Sequence, residues 1–155
     1  MATRRKSTKP RKQQISPYLL YRDVGKALKW LTKAFGFTEI DERYTGKDGT
    51  IQHSAMRIEM GGDVFMLGCP GKRYKNPKQV GGVTQMQHIM IRNVDAHYTR
   101  AKKAGARILA KPEDTFYGHR RYGAEDPEGH QWYFAEELLK PAAKGRKNPE
   151  LRKRS

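Results

Sequence analysis

The sequence predicts an α+β fold built from two β-α-β-β-β modules in tandem. Three observations predict it. Two amphipathic helices begin alike, at Asp23-Val24 and Asn93-Val94, and align without a gap as far as Lys33-Ala34 and Lys103-Ala104. Each stops at a glycine, Gly36 and Gly105, once the extra residue Phe35 is allowed for. Finally, Thr115–Glu136 reads as a loop, a strand, a tight turn and a second strand, and its turn glycine, Gly129, pairs with Gly62 before the last strand of the first module.

The elements follow in order. Ile15–Arg22 is apolar and aromatic and predicts a strand. Asp23 is an N-cap for VGKALKWLTKAFGF, whose Val24, Ala27, Leu28, Leu31, Ala34 and Phe35 make one apolar stripe. Three strands are expected next: Phe37–Tyr44, Thr50–Met60 and Asp63–Gly68. Cys69–Gly82 is dense in Gly, Pro and Lys and reads as a linker. The order then repeats. Thr84–Arg92 is a strand, Asn93 a cap, and Val94, His97/Tyr98, Ala101 and Ala104 a second stripe. Arg107–Leu109 is a short strand before the hairpin, where Asp126-Pro127-Glu128-Gly129 supplies the turn and Trp132-Tyr133-Phe134 the strand propensity.

At 155 residues, 36% hydrophobic and 31% charged, the chain suits one domain with a real core. The net charge of +16 is unevenly spread. Residues 1–14 hold six bases and no acid, residues 140–155 seven bases and one acid, and the body between has 19 bases and 15 acids. Both tails are poor in apolar residues and are predicted to be disordered; they suit non-specific contact with nucleic acid. No apolar run approaches the roughly 18 residues of a membrane span. The basic N-terminus lacks the apolar stretch of a secretory signal, and the single cysteine, Cys69, is compatible with a reducing cytoplasm. The domain organisation expected is thus a tail over 1–14, a body over 15–139 (modules 15–68 and 83–139, linker 69–82) and a tail over 140–155.

Three segments carry a family resemblance: PYLLYRDVGKALKWLTKAFGF, GGVTQMQHIMIRNVDAHYTRAKKAGA and YGHRRYGAEDPEGHQWYF. Over Ile15–Leu138 the chain resembles the vicinal oxygen chelate superfamily, which contains glyoxalase I, extradiol dioxygenases, fosfomycin-resistance enzymes and bleomycin-resistance proteins. It looks most like the bacterial glyoxalase/bleomycin-resistance-like branch. The resemblance implies modules whose sheets curl around a cavity with helices outside, and a homodimer.

It also implies where a metal would sit, on the first and fourth strands of each module. Those positions fall here at Ser16, Met66, Met86 and Tyr133, a set without imidazole or carboxylate, so the expected site is metal-free. The alternative is a divalent metal at His88 and His53. As a cavity, alternation places Met86, His88 and Met90 on one face with Tyr133, while Ile89, Ile91, Trp132 and Phe134 pack under the helix. In the first module Tyr18, Met66, His53 and Arg57 fall to the cavity, and Met56, Ile58 and Met60 to the helix. Tyr117 and Arg120 come from a segment able to close over it; of the adjacent Arg120 and Arg121, at most one can face a ligand. His130 is expected to pack in its turn.

The function expected is binding of a small organic ligand, aromatic or anionic, in a metal-free cavity. The slightly basic body does not suit the cationic antibiotic bleomycin itself. The competing class is an enzyme, a metal-dependent or histidine-based isomerase, lyase or dioxygenase, with His53, His88 and Tyr133 as catalytic candidates. No nucleophile triad, phosphate loop or CxxC site stands out.

Overall fold

The computed structural model describes residues 13–59 and 62–138. Most of both basic tails lies outside them. Gln13, assigned to a tail, belongs to the body: its side-chain amide accepts from Val64 N and donates to Val64 O, both at 2.9 Å.

The chain runs β1 (Tyr18–Leu20), α1 (Val24–Phe35), β2 (Thr38–Thr45), β3 (Ile51–Arg57), β4 (Val64–Gly68), α2 (Pro77–Val80), β5 (Gln87–Met90), α3 (Val94–Lys103), β6 (Arg107–Asp114), β7 (His119–Glu125) and β8 (Gln131–Glu137). The fold is α+β, and among the described residues eight strands form two mixed sheets of matching order, β1-β4-β3-β2 and β5-β8-β7-β6. In each sheet the first strand runs parallel to the fourth, and the other pairs are antiparallel.

The helix punctuation follows the sequence. The Asp23 side chain accepts from Lys26 N, and Gly36 takes a left-handed conformation at φ 78° with its N–H donating to Thr32 O. Asn93 caps α3 by accepting from Ala96 N. Arg100 on α3 then donates to Lys33 O and Thr32 O at the end of α1, at 2.9 Å each. A Cβ on Gly36 would stand 2.5 Å from that guanidinium, a second reason for glycine there.

Several element boundaries differ from the sequence expectation. β3, expected over Thr50–Met60, ends at Arg57, and Met60 lies outside the described residues. β1 has only three residues because β4 pairs with it over Tyr18–Leu20 alone, although Met66 N→Pro17 O and Tyr21 N→Gly68 O extend the hydrogen bonding at both ends. β5 likewise starts at Gln87, which leaves Met86 ahead of the strand. β6 extends to Asp114 through Pro112, tolerated because β6 is an edge strand. The linker contains α2, closed by reciprocal hydrogen bonds between Asn76 and Gln79.

One core joins the modules. Leu19, Met56, Phe65 and Leu67 of the first sheet and Ile89, Trp132, Phe134 and Tyr122 of the second are all buried with the helix stripes. Phe65 meets Trp132 with ring centroids 5.4 Å apart, and Phe35 meets Phe134 at 4.8 Å. The two sheets therefore pack through their helix faces, and the opposite faces, where the cavity residues alternate, point away from one another. Among the described residues, the open faces of the two sheets do not line one common cleft.

Candidate functional site

Each sheet thus offers its own open face. On the first, Tyr18, Met66 and Ala55 are in register across β1, β4 and β3, with His53 and Arg57 to either side. Tyr18 Oη and His53 Nδ1 share a hydrogen bond of 3.0 Å. The Tyr18 ring lies over Gly68, where a Cβ would overlap its hydroxyl. Partial burial, with a smaller contribution from Cys69, raises the Tyr18 phenol above its ordinary pKa. Arg57 donates to Gly62 O at 3.3 Å.

On the second face His88 is in register with Tyr133, and Tyr133 with Gly123. Gly123 is to Tyr133 what Gly68 is to Tyr18: a Cβ there would stand 2.6 Å from the Tyr133 ring. The Arg121 guanidinium lies 5.2 Å from the Tyr133 ring centroid. His119, on the same face two residues earlier, has its ring 6.4 Å from His88 and 5.3 Å from Tyr117. Burial, then the charges of His119 and Arg121, hold the His88 imidazole below its ordinary pKa.

The expected site residues therefore fall in two groups. Tyr18, His53, Arg57 and Met66 share the first face; His88, Met90, Tyr133 and the rim residue Tyr117 share the second. Met86 is exposed in the segment leading into β5. His53 and His88 stand on different sheets and do not meet within the chain, so the alternative pairing of the two around a metal has no basis in one chain. Arg120 turns to the helix side, where Asp95 of α3 and Asp114 hold it at 2.8 and 2.7 Å and raise its pKa. Arg121 takes the place expected of it. His119 was not among the expected residues; its i, i+2 spacing from Arg121 is the signal that assigns it to the same face.

The four positions that the sequence resemblance assigns to a metal are Ser16, Met66, Met86 and Tyr133. Hydroxyl, thioether and phenol donors do not fit a hard or borderline divalent ion. Among the described residues no group of three or more His, Cys, Asp or Glu side chains could hold one.

The hairpin turn has a different task. Buried Asp126 accepts from Tyr21 Oη (2.6 Å), Trp132 Nε1 (3.1 Å), Glu128 N (2.9 Å) and His130 N (3.1 Å). Glu128 accepts from Arg22 N, Asp23 N and the Asn76 side chain, tying the turn to α1 and α2. His130 hydrogen-bonds Leu20 O at 2.8 Å and packs on Tyr21, as expected of a turn residue. A groove of about 820 Å³ runs beside this turn, past Trp30, Lys26 and Lys78. Its carboxylates, Asp23, Asp126 and Glu128, are already paired within the protein.

The comparisons with known proteins agree with this architecture. Residues 14–134 match the model of the Glyoxalase/Bleomycin resistance protein/Dioxygenase superfamily. The chain is 35% identical over 123 residues to the uncharacterized proteins Mb0911c of Mycobacterium bovis, covering 76% of this chain and 79% of that one, and Rv0887c of Mycobacterium tuberculosis, covering 76% and 71%. Among solved structures it is similar to TioX from Micromonospora sp. ML1, with a TM-score of 0.63 and 29% identity over 84% of this chain and all of that one. It also shares its fold with the fosfomycin resistance protein FosX of Listeria monocytogenes, at a TM-score of 0.59 and 16% identity over 84% of this chain and 97% of that one. With the family model spanning both modules, this chain belongs to the Glyoxalase/Bleomycin resistance protein/Dioxygenase superfamily.

Proposed function

We propose that the protein binds a small aromatic organic molecule, without a metal, in a cavity completed by a second copy of the chain. One observation carries this reading: the two sheet faces opposite the core are open, and each presents an aromatic ring over a glycine with imidazole and guanidinium groups around it. An isolated open face can cover only one side of a ligand, whereas small-molecule sites bury most of the ligand surface. Because the sheets share strand order, the first face of one copy can close on the second face of another. The exposed thiol of Cys69 supports a reducing, cytoplasmic setting.

The test combines elemental analysis with thermal-shift titration by planar aromatic compounds. Metal-free protein whose melting temperature rises with ligand is the expected result. A stoichiometric divalent ion in protein purified without chelator would sink the metal-free site and favour a metal enzyme.

One observation favours a second reading. The Tyr18–His53 hydrogen bond joins two groups able to exchange a proton at a partly exposed surface. A histidine-based isomerase or lyase would then be expected, with turnover of a hemithioacetal lost on His53→Ala while ligand binding persists. The basic residues of 1–14 and 140–155 further support a non-specific electrostatic role. Affinity for duplex DNA should then fall steeply with salt and vanish when both segments are deleted.

A further inference from the structure

We infer that the second open face anchors an oxyanion head group, carboxylate or phosphonate, on the aromatic ligand, with Arg121 and His119 as the anchoring pair. This rests on the small-molecule reading above and names its ligand class.

The inference starts from two unmet hydrogen-bonding groups. Arg121 Nε and His119 Nδ1 are shut off from solvent and have no hydrogen-bond partner among the described residues. Leaving such groups unpaired is costly, and most buried polar atoms in folded proteins find a partner. The two residues stand at i and i+2 on β7 and so share one face. The acids in register with them, Glu113 beside Arg121 and Glu137 beside His119, are exposed and form no ion pair with either. Arg120, by contrast, is neutralised by Asp95 and Asp114. The strand thus separates one structural arginine from one uncompensated arginine.

The surroundings define the rest of the ligand. Arg121 lies against the Tyr133 ring, which fixes the guanidinium while leaving donors for a bidentate oxyanion. Tyr133, Met90 and the half-exposed Tyr117 provide apolar and aromatic surface beside the anchor. His88 completes a cluster of three basic side chains; burial first, and then the charges of His119 and Arg121, disfavour its protonation. A bound anion would offset that charge.

The experiment is calorimetric titration of the full chain with 2-naphthoate, 2-naphthylphosphonate and the neutral 2-naphthamide, on wild type, Arg121→Gln and Arg121→Lys. Each variant's melting curve verifies that it is folded. The expected result is that one or both anions bind wild type about ten- to a hundredfold more tightly than the amide. Arg121→Gln should erase that preference, so that it binds the anions no more tightly than the amide, and Arg121→Lys should restore part of it. The stronger of the two anions identifies the head group. In parallel, the His88 imidazole followed by NMR should titrate at higher pH once the anion is bound. Equal binding of anion and amide to wild type, or a preference that survives Arg121→Gln, overturns the anion anchor and leaves the small-molecule reading standing. Binding of none of the three overturns both.

Discussion

Tyr18 and Tyr133 hold their positions because the strand beside each carries a glycine. Gly123→Ala would drive a methyl group to 2.6 Å from the Tyr133 ring and displace it together with Arg121. Its cost in stability should be about 1–3 kcal/mol, whereas naphthoate affinity should fall about tenfold or more. Urea denaturation and calorimetry read the two effects separately, and unchanged affinity in a folded variant would remove Tyr133 from the site. Asp126 gives the opposite pattern. Asp126→Ala strips partners from the Tyr21 hydroxyl and the Trp132 N–H, both buried, and should cost about 3 kcal/mol or more in denaturation experiments. Ligand affinity per folded molecule should change little. At this scale the sequence was only partly legible. Alternation on a strand requires Arg120 and Arg121 to face opposite ways, but which one faces the open side of the sheet depends on Asp95, an acid on a helix 25 residues earlier. No local pattern in β7 carries that information.

The contact between α1 and α3 is where the modules are fastened, and it contains a titratable group. His97 Nε2 donates to Phe35 O at 3.0 Å; its Nδ1 then accepts from the Tyr122 hydroxyl at 2.6 Å, which describes a neutral imidazole. Burial lowers its pKa to about 4, although the Phe35 carbonyl acts the other way. In the unfolded chain the same group titrates near 6.5. Between these values the unfolded chain binds the extra proton, so stability falls as pH drops from about 6.5 to about 4. The full difference would amount to at most about 3 kcal/mol, reduced by the residual access of solvent to the site. Urea midpoints measured from pH 7 to pH 4 should therefore decline in wild type. His97→Gln should show a shallower decline, and an identical slope in both would exclude His97 as the source. The helices themselves were legible because caps, stripes and stop glycines are local chemistry. The extent of β6 was not, since its second half is held by pairing with β7 rather than by its own residues.

At the scale of the whole molecule, the repeat fixes what each module is but not which faces the modules turn to one another. Both faces of each sheet carry aromatic residues, and only the packing of Phe35, Phe65, Trp132 and Phe134 decides that the helix faces meet. That choice leaves Tyr18 and Met90 at 40% and 43% exposure on faces that look in opposite directions. A composite site in a two-fold dimer makes a quantitative prediction. Variants Tyr18→Ala/His53→Ala and Arg121→Ala/Tyr133→Ala each damage one half of every site, and neither alone should bind naphthoate. Mixed in equal amounts and allowed to exchange subunits, they form heterodimers in which one site combines the two damaged faces and the other combines the two intact ones. About a quarter of all sites should then recover wild-type affinity, the statistical expectation for random pairing. Sedimentation should show a dimer throughout. A monomeric wild-type protein, or a mixed dimer with no recovered sites, would mean that each face works alone and that the two halves of the lining never meet around one ligand.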